Sequence, residues 1–255
     1  MAEEGLFTDI RVRNVTQYVS ALAQVRRRRR ILWFRGQNNL RWRLLPSLAR
    51  LRGDWLSTEA MLIKRFRQNA LPLLPQADRS DWDWLLLMQH HGVPTRLLDW
   101  TENALAGLFF ATVSVRGRET AGTGGCVWVL DPVALNGEAN LSMATNDIPT
   151  LGVDVALGDY LPTAVAESVT TLAPLAVLAQ RMFPRLVAQS GVFTIIHRKR
   201  TPIERIRSGT YVGRIIVPGN AKERIARELS DMGVTRLSLF PELDSVAEFV
   251  KGFLP

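Results

Sequence analysis

Arg35 closes a short apolar run, Ile31-Leu-Trp-Phe-Arg35, and is followed at once by Gly36 and Gln37. A guanidinium leaving a rigid element beside a glycine that permits close backbone approach is placed to fork onto a phosphate or carboxylate. The same residue could instead serve a structural salt bridge. A second cluster interleaves Thr95, Arg96, Asp99, Thr101 and Asn103 with Leu97, Leu98 and Trp100. Strand alternation sets Arg96 and Leu98 on one face and Leu97, Asp99 and Thr101 on the other. Asp99 then reads as an ion-pair partner for Arg96 or Arg35, or as a ligand group, and Thr101 as the N-cap of the helix that follows. Gln189 and Gly191 form a last polar cluster on an apolar strand, where a side-chain amide must find hydrogen-bond partners in backbone or ligand.

His90 and His91 follow Gln89 at a helix end. Adjacent helical residues point about 100° apart, which makes poor co-ligands for one metal. With three histidines and one cysteine in the chain, no metal site is expected, and the pair is better suited to hydrogen bonding a ligand. GxGxxG, GxxxxGK[ST], GxSxG and HExxH are all missing, which disfavours Rossmann and P-loop enzymes, α/β-hydrolases and zincins.

The elements that must hold these residues are legible in part. Apolar spacing predicts helices over 14–29, from Thr58 to about Pro72, over 81–91, 104–113, 221–232 and 245–252. Strands are expected over 31–35, 96–100, 126–130, 211–217 and 235–240, with one strand or a bent pair over 185–197 turning at Gly191. The segment 38–51 reads as a loop broken by Pro46 and anchored by Trp42 and Leu48. Helices and strands alternate without βαβ rhythm, so an α+β fold is expected, one domain spanning 1–255 with residues 1–30 as a basic, helical N-terminal segment.

The chain has 255 residues, enough for a core without disulfides, and its lone Cys126 points to a reducing compartment, the cytoplasm by default. No apolar stretch reaches the length of a membrane span, and the acidic start lacks the pattern of a signal peptide. Thirty-two basic residues against 24 acidic ones give a net charge of +8, a field that draws polyanions. Arg26, Arg27, Arg28, Arg29 and Arg30 form an unbroken basic run. That run, with Arg41 and Arg43 flanking Trp42, could supply phosphate contacts and a stacking surface for an unpaired base, or simply a solvated helix end.

These residues resemble the FRG domain family, named for the tripeptide that stands here as Phe34-Arg35-Gly36. The likeness extends over WFRGQ (33–37), LLPSLAR (44–50), QHHGVPTRLLDWTEN (89–103), LFFA (108–111), AQSGVFTI (188–195) and LSLFPEL (237–243). The arrangement is also similar, remotely, to the ADP-ribosyltransferase fold, a split mixed or antiparallel sheet flanked by helices. That resemblance implies an arginine at the end of the first strand, a Ser/Thr strand leading into a small-residue helix, and a later strand with a catalytic glutamate.

Under it, Arg35, Asp99, Thr101 and Gln189 would be catalytic, and Arg35, Gly36, Gln37, His90, His91, Thr95 and Arg96 would hold NAD as the substrate. Gln189 departs from the glutamate, so the charge would come from Asp99 or from a distant acid such as Glu102 or Glu204. The expected activity is NAD-dependent ADP-ribosylation of RNA or single-stranded DNA by a bacterial toxin or anti-phage effector, with an antitoxin as a possible protein partner. The alternatives are a non-catalytic nucleotide or nucleic-acid sensor and a metal-dependent nuclease.

Overall fold

A computed structural model describes residues 6–26, 31–76, 78–113, 123–139, 147–206 and 209–254. One seven-stranded mixed sheet organises them: β1 (Ile10–Arg11), β2 (Trp33–Gln37), β3 (Leu97–Thr101), β4 (Gly125–Leu130), β5 (Leu175–Val177), β6 (Gly191–Ile195) and β7 (Val212–Val217). Their spatial order is β1-β7-β4-β2-β3-β6-β5. Only the edge pair β1 and β7 is parallel. The α+β expectation therefore holds.

The register locates the site. β2 pairs with β4 through five residues and β3 with β6 through five. Between β2 and β3, at the middle of the sheet, pairing is confined to Phe34 and Thr101. The sheet splays open there, and Arg35 lies at the opening.

Alternation along β2 divides the core. Phe34 joins a cluster with Val127, Val129, Ile215, Leu108 and Ile225, built under helices α1 (Val15–Arg26), α4 (Ala104–Thr112) and α8 (Lys222–Asp231). Trp33 joins Leu98, Trp100, Trp128 and Leu130 in another cluster, with Leu135 of helix α5 (Pro132–Glu138). Gly36 shares the Phe34 side: a Cβ there would run into the Gly107 carbonyl, the Ala111 backbone nitrogen and the Phe110 Cβ, so only glycine lets α4 lie against β2. A third cluster sets Leu85 and Leu86 of helix α3 (Asp81–His90) against Leu97, Phe193 and Ile195.

Helix α2 (Trp55–Ala70) is capped by Asp54, four residues before the expected start at Thr58. Two short helices complete the path toward β6, α6 (Pro162–Glu167) and α7 (Pro184–Ala188).

Four expectations are corrected. Residues 184–188 are helical rather than extended: Pro184 at the first helical position starts a turn that ends at Gln189, and Ser190 takes a positive φ of 46° before β6 begins. Residues 236–239 form helix α9 (Arg236–Leu239), because Thr235 and Ser238 make a reciprocal capping box; helix α10 (Leu243–Lys251) follows. Asn103, not Thr101, caps α4, its carboxamide oxygen accepting from the Leu105 and Ala106 amides. Trp42, expected as an anchor, is 44% exposed, whereas Leu48 is buried.

Candidate functional site

The opening between β2 and β3 is spanned by Arg35. Its Nη1 donates to the Asp99 carbonyl at 2.6 Å and lies 3.8 Å from the Asp99 carboxylate. That carbonyl sits where a continuing ladder would carry the strands' own hydrogen bonds, so the guanidinium takes the place of a backbone donor at the split. The Arg35 side chain is only 20% exposed and its Nε is buried with no partner among the described residues. Burial lowers the guanidinium below its ordinary range, Asp99 opposes that effect, and Arg50 adds to it as a second cation. Burial lowers Arg50 as well, and Asp99 opposes that effect. Arg35 makes the ion pair with that carboxylate, while Arg50 donates to the Pro46 carbonyl and feels Asp99 only through its field.

Asp99 itself is set by a hydrogen-bonded chain. The Leu97 amide donates to Thr95 Oγ1 at 3.2 Å, the Thr95 hydroxyl bonds Gln89 Oε1, and Gln89 Nε2 donates to Asp99 Oδ1 at 2.9 Å. Thr95 is fully buried, so it fixes which end of the Gln89 amide faces Asp99. The Asp99 side chain remains 58% exposed. It is therefore a positioned carboxylate with open solvent access.

Thr101 and Gln189 meet at the corner where β3 turns into α4. The Thr101 hydroxyl donates to the Gln189 carbonyl at 2.5 Å and accepts from the Asn103 amide at 2.9 Å. Gln189 Nε2 donates to the Leu239 carbonyl at 3.0 Å. A carboxylate in that place would face a carbonyl oxygen with no proton between them, which is a physical reason for an amide where the resemblance implies an acid.

Beside these groups lies a pocket of about 50 Å³ lined by Gln89, His90, Asp99, Phe183, Arg185 and Gln189, among others. That is room for about one or two waters, far from the roughly 300–1,000 Å³ of sites that enclose a small molecule. It has room for only one small group, and the split beside it is open to solvent at Asp99. Its wall is aromatic: His90 stacks on Phe183 at 4.3 Å with planes 6° apart. Burial first, then His91 and Arg185, hold the His90 imidazole below its ordinary range, with Glu242 acting the other way.

Several residues expected at the site have other tasks. Arg96 is fully buried and forks onto Glu59 of α2, also reaching the Tyr160 carbonyl, because a charge inside the core must be paired. Gly36 serves the packing of α4. Gln37 is buried, accepts from Trp128 Nε1 at 3.0 Å and donates to the Arg43 carbonyl at 3.4 Å. His91 is exposed and turns its ring toward Phe66 and His90. Glu102 pairs with Arg181 at 2.8 Å on the surface, and Glu204 accepts from the Leu44 amide while facing Arg43 at 3.6 Å. Neither of those acids lines the pocket. Sequence reading missed Arg50, Arg185 and Phe183, since nothing local ties them to Asp99.

Arg41, Trp42 and Arg43 are all exposed on the loop after β2, which Gln37 ties to the strand that carries Arg35. Arg26 is exposed at the end of α1, and Arg27, Arg28, Arg29 and Arg30 lie outside the described residues. No group of three or more His, Cys, Asp or Glu residues that could hold a metal occurs among the described residues.

The family model for the FRG domain matches residues 30–119, which contain Arg35, Arg50, Gln89 and Asp99. That stretch is similar to the FRG domain. The match covers the two central strands β2 and β3, while their outer neighbours β4 and β6 lie beyond it. The FRG residues thus fill the middle of a sheet that the rest of the chain completes. Comparison with curated proteins and with solved structures finds no match.

Proposed function

We propose that this protein is an NAD-dependent ADP-ribosyltransferase whose acceptor is RNA or single-stranded DNA, acting as a toxin or defence effector. The observation that carries the reading is the split of the sheet between β2 and β3, spanned by Arg35 and opening beside a solvent-accessible carboxylate. A dinucleotide laid along the split would meet Arg35 and Arg50 with its pyrophosphate. Asp99 would stand where positive charge develops on the nicotinamide ribose as the C1′–N bond breaks. Nicotinamide departs with the bonding electrons, the acceptor's lone pair forms the new bond to C1′, and the acceptor's proton passes to Asp99 or water.

The exposed Arg41-Trp42-Arg43 segment supports a nucleic-acid acceptor, offering two cations around a stacking surface on the loop after Arg35. A sensor that binds nucleotide without transfer is the second reading, favoured by the amide at Gln189 and its commitment to Leu239. Measuring nicotinamide release from NAD in the presence of single-stranded RNA separates the two. Release that depends on both RNA and Asp99 supports the transferase; saturable NAD binding with no release supports the sensor.

A further inference from the structure

A second pocket lies at the opposite end of β6 from Gln189, about 15–20 Å along the strand. It holds about 330 Å³ and is lined by Thr171, Leu172, Pro174, His197, Lys199, Thr201, Arg205 and Ile206, together with Ala173. That volume falls within the roughly 300–1,000 Å³ of small-molecule sites and exceeds what a lone inorganic anion fills. Its chemistry is divided. Leu172, Pro174 and Ile206 make an apolar wall, while Lys199 and Arg205 bring two positive charges to the rim.

Neither cation is spoken for: among the described residues the side chains of Lys199 and Arg205 make no ion pair and no hydrogen bond. His197 forms the inner wall and is 1% exposed. Its Nδ1 accepts from the Leu172 amide at 3.3 Å, which assigns the ring proton to Nε2, on the side of the Asp159 carbonyl. The ring is thus held by its own chain, and the two cations are the groups of the pocket that lack a partner among the described residues.

We propose that this pocket binds a small phosphomonoester carried on a flat apolar body, a mononucleotide being the size that fits, with Lys199 and Arg205 on the phosphate and Leu172, Pro174 and Ile206 against the ring. Thr171 and Thr201 add hydroxyls that can bond phosphate or sugar, and the His197 ring closes the inner wall. This site shares no residue with the Asp99 pocket, so it acts as a separate binding site whatever the fate of the transferase reading.

Calorimetry on the full chain with AMP, adenosine and inorganic phosphate tests it. AMP should bind saturably, with adenosine and inorganic phosphate each at least tenfold weaker. Lys199→Ala combined with Arg205→Ala should weaken AMP at least tenfold with an unchanged melting temperature, while Arg35→Ala leaves the AMP affinity as it is. The His197 Nε2 resonance should move on AMP addition. Absence of AMP binding, equal affinity for adenosine, or loss in Arg35→Ala with none in the double variant would each overturn the assignment. Tighter binding of a short RNA than of AMP, lost in the Lys199→Ala, Arg205→Ala double variant, would also overturn it.

Discussion

At the scale of single residues, the site is a question of which polar groups are already committed. Arg96, Gln37 and Thr101 looked as available in the sequence as Arg35 and Asp99. Burial separates them: Arg96 is spent on Glu59, Gln37 on Trp128 and Arg43, Thr101 on Gln189 and Asn103. Sequence periodicity reports which face a residue occupies but not who stands opposite it across tens of residues, which is why Arg50 and the Gln89 link to Asp99 went unread. Asp99 is left as the carboxylate that is both positioned and open. Asp99→Asn should lower nicotinamide release about 10²–10³-fold while leaving the melting temperature within a degree or so, since an exposed strand residue contributes little core area. Unaltered release in that variant would move the developing charge to another acid.

At the scale of elements, local signals served best where capping and periodicity agreed, and failed where short segments could go either way. The run 185–197 contains apolar alternation fit for a strand, yet Pro184 starts a helix and Ser190 turns the chain before Gly191. Residues 235–240 are apolar enough for a strand, but the Thr235–Ser238 capping box closes them into a helical turn. The central strands were legible because their apolar runs are buried on both faces, and so was α4, a nearly uncharged helix. The glycine of the FRG tripeptide belongs to this scale. Gly36→Ala would force α4 away from β2, because the obstacles are backbone atoms that cannot rotate aside. The expected cost is about 1–3 kcal/mol or more, read as a lower denaturant midpoint. Loss of activity with no loss of stability would instead give Gly36 a direct part in ligand approach.

At the scale of the whole molecule, charge and burial set how the protein answers its surroundings. The net charge of +8 favours polyanions, and the exposed Arg41, Trp42 and Arg43 give that field a surface. Replacing all three with alanine should weaken single-stranded RNA binding and flatten its salt dependence, each lost phosphate contact removing about 0.7 from the slope of log K against log salt. An unchanged slope would place the acceptor on another face.

Acid acts on the folded state through two imidazoles. His90 and His197 are each lowered from 6.5, chiefly by burial. The unfolded chain therefore takes up protons first as pH falls. Their contribution to stability is complete above about 6.5 and is lost progressively below it, as pH descends toward the folded-state values. Melting temperature should drop between neutral and mildly acidic buffer, and a flat profile would show that these rings are solvated.

The transferase reading is met most directly by incubating the protein with NAD labelled in its adenine moiety, in a mixture of RNA, single-stranded DNA and protein. Wild-type protein should pass the label to nucleic acid, and Arg35→Ala, folded but without its grip across the split, should not. NAD left intact with every acceptor, or labelling that persists undiminished in Arg35→Ala, would contradict the account.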